Sequence, residues 1–408
     1  MTMNPAACSR RAFLRTATAA GLALAGIPSR VLGANDAVRV AVIGLGNKGS
    51  SHVAQFGAMA GARLVALCDV DPERLAKQQK KVDKKGRPVF CATDPLRILE
   101  RKDVDAVVIA TPNHWHTLLA VWACQAGKDV YVEKPVSHNI WEGRQLVRAA
   151  GRYSRIVQAG TQYRSDPGLR EAADYIQQGQ LGKVRWIHVP WYELRPGIGK
   201  AEPYIPTGLD YDLYCGPAAL EPLRRPRLHY DWHWFWSTGD GDMANSTVHP
   251  LDACRIFMPG AAFPRRVLSL GGRFTYDDGA LHQANFLQAL RRRRTEDLNA
   301  PIAEGHISSA VCHLANLSYL LGQPGKVSAC QDALGKHAPV AEGFPRLVKS
   351  LEGIGVDLDK TPFTLGPWLE LDPASGDILK AGAGDAAQLD QAQRLARGTH
   401  RAPFVLPT

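Results

Sequence analysis

Apolar residues fall in short blocks along the first 160 positions, separated by stretches with the wider spacing of helices. Val38-Arg39-Val40-Ala41-Val42-Ile43 predicts a buried strand, 51–60 a helix, and 63–68 a second strand that ends at Asp69. The alternation continues with strands over 105–110, 129–132 and 155–159 and helices over 118–126 and 140–151. Strands without a polar face, alternating with helices, imply a parallel, doubly wound sheet covered on both sides. Ligands of such sheets lie beyond the carboxyl ends of the strands. That edge holds Thr111-Pro112-Asn113-His114-Trp115-His116 and Glu133-Lys134-Pro135.

Between the first strand and first helix stands Gly44-Leu45-Gly46-Asn47-Lys48-Gly49. Gly44 permits a tight turn, Gly46 lets the backbone approach a pyrophosphate, and Gly49 lets helix and strand pack closely. The helix N-terminus, with Asn47 in it, offers N–H groups to phosphates. Asp69, about 20 residues on, accepts from both ribose hydroxyls and repels a 2′-phosphate. NAD is therefore favoured over NADP, although Arg74 could still reach a phosphate. The alternative is a purely structural glycine turn. Strand, helix, second strand and acid standing in the required order argue for a Rossmann dinucleotide fold.

Composition is that of an ordinary globular chain, 45% hydrophobic and 22% charged. A length of 408 residues predicts more than one domain. The net charge of +10 includes Arg10, Arg11, Arg15 and Arg30, which precede an otherwise scattered distribution. Arg291–Arg294 and the Lys-rich stretch 77–85 are either phosphate patches or solvated helix faces, and no nucleic-acid motif accompanies them. Eight cysteines form no CxxC pair, which predicts buried thiols such as Cys68 and Cys124 and no zinc site; no metal is expected. Ser9-Arg10-Arg11-Ala12-Phe13-Leu14-Arg15, followed by a mildly apolar run to Ile27, reads as a twin-arginine export signal over 1–34. The run is too short and too weakly apolar for a stable membrane anchor. The expected location is the periplasm, with the export machinery as a partner.

Taken together, the glycine loop with Asp69, the Thr111–His116 and Glu133-Lys134-Pro135 motifs, Gly160-Thr161-Gln162 and the stretch from Gly241 to Asp252 resemble the Gfo/Idh/MocA family of oxidoreductases. The resemblance runs over about 38–276, resumes at 282–286, and includes the late Thr361–Trp368 of an exported bacterial branch. It implies an NAD-dependent oxidoreductase that moves hydride between nicotinamide and a hydroxyl carbon of a sugar, polyol or derivative. Lys134 then touches the substrate oxygen, its direction fixed by a cis bond to Pro135 as in relatives, and His249 is the general base. Thr111, Asn113, His116, Glu133 and Gln162 complete the cofactor site. For His116, packing is an equal alternative. Relatives commonly carry an Asp four residues before the base; here Asn245 stands there. Asp252, three residues after His249, would share its helix face and help orient the site. The bland readings are a surface loop lysine and an interior histidine. The run Tyr230–Trp236 either stacks on a sugar or fills a core.

After the Rossmann domain (37–160), an α+β substrate domain (161–323) with an open sheet is expected. Its strands are read over 183–192, 266–270 and 273–276, and its helices over 281–292 and 307–321. The strands that relatives place near 277–281 are missing, so the sheet is shortened and any homo-oligomer built on it weakened. The tail, 324–408, is expected to pack over both domains, with helices over 344–351 and 386–397. Two rival functions remain: an NAD-dependent glycoside hydrolase working by transient oxidation and elimination, and a catalytically impaired nucleotide-binding paralogue.

Overall fold

The computed structural model describes residues 37–83, 88–184, 201–258, 263–271, 300–335, 338–353 and 363–406, with a few single positions between them. The segment 1–34, the strands expected over 183–192 and 273–276, the junction 277–281, the helix expected over 281–292 and the run Arg291–Arg294 lie wholly or largely outside the described residues.

The early apolar blocks build one six-stranded parallel sheet: β1 (Val38–Ile43), β2 (Ala62–Cys68), β3 (Phe90–Ala92), β4 (Ala106–Ile109), β5 (Asp129–Val132) and β6 (Val157–Ala159), in the order β3-β2-β1-β4-β5-β6. β4 and β5 are buried at every position, as strands covered on both faces must be. Strand order reverses between β1 and β4. Such sheets leave a crevice there, and the turn after β1 and the loop after β4 flank it.

Helices α1 (Asn47–Ala58), α2 (Pro72–Asp83), α3 (Asn113–Gln125) and α4 (Ile140–Arg152) cover the sheet. α3 starts five positions before the expected 118. All of its residues are buried, so it has no polar face for periodicity to reveal. Lys77, Lys80 and Lys81 on α2 are exposed, making that part of the Lys-rich stretch a solvated face.

Beyond helices over Pro167–Gln177 and Tyr211–Cys215 lie α5 (Gly241–Asn245) and α6 (Val248–Phe257), and then the long α7 (Ile302–Leu320). The backbone just before α7 is bonded to the sheet's edge strand, Ala159 donating to the Ala300 carbonyl at 3.0 Å. This seats the second half of the molecule on the first.

The strand expected over 266–270 is two strands, β7 (Arg266–Val267) and β8 (Leu270–Gly271), in different sheets. β8 and β9 (Gln323–Gly325) flank β10 (Phe363–Leu365), while β7 and β12 (Ile378–Ala381) flank β11 (Leu369–Leu371), all antiparallel. The tail thus supplies strands that cover β7 and β8, and its Phe404 and Leu406 pack into the core on the Rossmann side. Leu369, Leu371 and Ile378 pack with Leu314 and Leu317 of α7. The helices of the tail run over Val327–Leu334, which was not expected, Ala338–Gly353 and Ala386–Arg397. The seven cysteines of the described residues are unbridged, and Cys68 and Cys124 are buried as expected. Among the described residues no helix is long and apolar enough to cross a membrane.

Candidate active site at the carboxyl edge of the sheet

Three glycines form the turn after β1, for different reasons. Gly44 has φ +87°, and a Cβ there would come within 2.6 Å of the Ala110 carbonyl group. At Gly49 a Cβ would lie 1.8 Å from the Gly44 oxygen. Gly46 has an ordinary extended backbone (φ −63°, ψ −165°). A Cβ on it would meet only the tip of Arg74, at 3.4 Å. The turn's own packing thus demands Gly44 and Gly49 but not Gly46. The bare backbone at Gly46 opens at the N-terminus of α1, which no side chain caps. Unsatisfied N–H groups at the positive end of a helix suit a diphosphate.

Asp69 braces the other side of the turn. One carboxylate oxygen accepts the Leu45 N–H at 2.6 Å and the other the Asp71 N–H at 2.9 Å. Burial raises its pKa, and these two bonds work against the rise. Asp71 faces His229 Nε2 at 2.8 Å and Arg74 Nε at 3.6 Å. Arg74, the residue able to reach a phosphate, is therefore already opposed by an acid.

The loops after β4 and β5 form the facing wall. Lys134 follows β5, and its bond to Pro135 is cis. Its Nζ donates to the Asn245 carbonyl at 2.5 Å and to Asn245 Oδ1 at 3.1 Å. Asn245 ends α5, and His249 lies in the first turn of α6 with its ring 5.2 Å from that of Tyr163. Asn245 therefore serves the lysine. Gly46, Asn47, Asp69, Lys134, Asn245 and His249 all open onto one cleft of about 310 Å³. Thr111, Asn113, His116 and Glu133 line it too.

His116 both lines the cleft and is tied to the backbone, its ring nitrogens facing the carbonyls of Pro135 (2.6 Å) and Thr111 (2.8 Å). Burial lowers its pKa, and a neutral ring donates to one of the two at a time. His114 turns inward instead, its pKa pushed down by burial to about 4. Tyr230, Trp232 and His233 form part of the cleft wall, with Trp232 and His233 stacked at 3.6 Å.

Gln162 stands behind Glu133 rather than on the wall. Its Nε2 donates to Glu133 Oε1 and to the Tyr131 hydroxyl, both at 3.0 Å. Asp252 does not reach the cleft either. It binds Arg164 Nε through both oxygens (2.9 and 2.8 Å) and accepts from Ser308, so it anchors α6 from behind. Sharing a helix with His249 did not give it the same environment. The sequence reading missed Lys48, on the cleft wall, and the buried His52, 2.9 Å from Glu133. Their spacing of four on α1 was the available signal. Burial alone would raise the Glu133 pKa, but Lys48, His52 and Lys134 outweigh it and hold this carboxylate far below its usual range.

Residues 38–161 match the model of the Gfo/Idh/MocA oxidoreductase family, specifically its NAD-binding Rossmann fold. Inositol 2-dehydrogenase 1 of Saccharopolyspora erythraea is 36% identical over 155 residues, 37% of this chain and 44% of that protein. A glycosyl hydrolase family 109 protein of Solibacter usitatus is 35% identical over 161 residues, 35% of this chain and 36% of that protein. The chain thus spans less than half the length of these curated relatives. The WlbA dehydrogenase of Bordetella pertussis, solved with NADH and UDP-GlcNAcA, shares the fold at 16% identity and a TM-score of 0.50, over 68% of this chain and 94% of that one. Over residues 38–161 the chain carries the NAD-binding Rossmann domain of the Gfo/Idh/MocA family of oxidoreductases.

Proposed function

We propose that this protein uses NAD(H) to oxidise or reduce a hydroxyl-bearing carbon of a sugar, polyol or sugar derivative. One observation carries the reading. The uncapped turn at Gly46, the acid Asp69, and the pair Lys134 and His249 all open onto a single cleft. The donor set fits a dinucleotide: the N-terminus of α1 for the phosphates, Asp69 for a ribose, and Thr111, Asn113 and Glu133 along the strand ends. When bound, the nicotinamide supplies the hydride acceptor or donor. The chain supplies the rest. The Lys134 ammonium stabilises negative charge growing on the substrate oxygen as its proton leaves. Asn245 holds that ammonium through its carbonyl and its side-chain oxygen. His249, an imidazole on the same wall, takes and returns the proton. Tyr230 and Trp232 offer apolar ring surface to a sugar face.

The test is a panel of inositols, sugars and sugar acids assayed for nicotinamide reduction. Lys134→Ala should lose about two to four orders of magnitude in kcat while keeping NADH affinity within about threefold. Unchanged turnover in Lys134→Ala removes the assignment. A second reading is motivated by the family 109 relative: glycoside cleavage by transient oxidation. Release of nitrophenol from aryl glycosides without net NADH formation favours it over net oxidation. We also propose export by the twin-arginine route, from Arg10-Arg11 and the apolar run that follows. Cell fractionation of wild type and an Arg10→Lys, Arg11→Lys double variant tests this. Cytoplasmic accumulation of the variant alone supports it; identical distribution of the two contradicts it.

A further inference from the structure

A buried carboxylate stands behind the cleft wall, outside the set of residues that meet substrate or nucleotide. Asp240 immediately precedes α5 and is 3% exposed. One of its oxygens accepts from Asn113 Nδ2 at 2.7 Å, and the other faces His138 Nδ1 at 3.0 Å. Its backbone carbonyl accepts from Asn316 of α7 at 2.9 Å. His313, also on α7, has a ring nitrogen 3.8 Å from the carboxylate.

The partners come from the two strand-end loops that build the cofactor side of the cleft. Asn113 opens α3 after β4, and His138 lies four positions beyond Lys134 after β5. Asn245, which holds the Lys134 ammonium, lies five positions beyond Asp240. The segment 240–245 therefore grips the Lys134 loop twice, Asp240 on His138 and Asn245 on Lys134. Through Asn113, the same carboxylate also grips the loop that flanks the glycine turn.

We infer that Asp240 is a positioning residue, one that fixes the Lys134 ammonium relative to the nucleotide loop by clamping Asn113 and His138 to the start of α5. It touches no reacting atom and acts through Asn113 and Lys134. The inference rests on the proposed role of Lys134 only for its effect on turnover. The clamp itself can be read without any substrate.

The experiment is competitive acetylation of the intact protein with acetic anhydride, followed by peptide mass spectrometry, with NADH titration of the same samples. Lys134 is half-buried on an open cleft and lies within reach of the reagent. Lys128, bonded to the carbonyls of Arg101 and Val104 on the opposite side of the sheet, reports the general fold. Asp240→Asn keeps the shape and removes the charge. Loss of a charge-assisted hydrogen bond should raise Lys134 labelling roughly tenfold and weaken NADH binding severalfold, with Lys128 unchanged. His138→Gln breaks the same grip from the other side and should raise Lys134 labelling as well. It carries the test if Asp240→Asn fails to fold. Wild-type labelling and NADH affinity in a folded variant overturn the clamp. Lys134→Ala with unchanged turnover overturns the catalytic reading instead, so the two failures are distinct.

Discussion

Replacing Gly46 with alanine separates a glycine kept for a ligand from one kept for the fold. The backbone at Gly46 lies in a region open to any residue, and the added methyl meets only the Arg74 guanidinium at 3.4 Å. That group ends a flexible side chain and can shift. Gly→Ala at a compatible position typically stabilises by about 0.4–1 kcal/mol, and the poorer N-capping of alanine offsets a similar amount, so the nucleotide-free protein should keep its Tm. With nucleotide present, the methyl occupies the place a diphosphate would take against the backbone. Overpacking of this kind costs about 3 kcal/mol, or roughly two orders of magnitude in Kd. Gly49→Ala is the control. Its Cβ would sit 1.8 Å from the Gly44 oxygen, a backbone atom that cannot step aside. It should lose about 3 kcal/mol or more before any ligand is added, lowering Tm by roughly 6–12 °C. Calorimetric titration with NADH and thermal denaturation of both variants give the two readouts. Wild-type NADH affinity in Gly46→Ala would refute the placement of the phosphates on this turn.

His138 gives a pH prediction. Burial disfavours its imidazolium, but Asp240, aided by Glu142, outweighs burial and lifts the pKa to about 9, with His313 and His114 as the nearby opposing rings. A folded pKa above the unfolded one stabilises fully below about pH 6.5, and the contribution is lost as pH rises through about 9, amounting to about 3 kcal/mol at most. Urea titrations across that range should show the decline in wild type and not in Asp240→Asn; equal slopes would contradict it. Asp252→Asn should destabilise by about 3 kcal/mol, because Arg164 and Arg255 would lose the buried acid opposite them and keep the partly exposed Glu304, yet leave NADH affinity unchanged. A selective loss of NADH binding there would place Asp252 in the site after all.

Five of the six strands of the parallel sheet were legible because each is a largely apolar run, three of them ending at a glycine, an acid or a motif, as at Ile43, Cys68 and Val132, whereas the three-residue β3 is too short to show a pattern. Lys134 and His249 were legible as motif members, and the cleft does bring them together. What local pattern cannot carry is orientation and long-range pairing. Asp252 follows His249 by three residues, yet its surroundings are set by Arg164 and Ser308, which lie far off in sequence. The start of α3 was hidden because polar His114, His116 and Thr117 are buried by partners found only in the folded chain. The strands of the tail are three or four residues long, and their pairing with β7 and β8 spans about a hundred positions, a distance over which periodicity says nothing.

Trp115 and Trp232 line the cleft, so excitation of tryptophan should reach a reduced nicotinamide bound there. Titrating nucleotide-stripped protein with NADH and with NADPH, and following that energy transfer, is the most direct measurement of whether the cleft is a dinucleotide site read by Asp69. Saturable transfer from NADH, with NADPH at least about tenfold weaker because Asp69 and Asp71 repel a 2′-phosphate, is the predicted result. Absence of transfer from either nucleotide, or equal affinity for both, would contradict it.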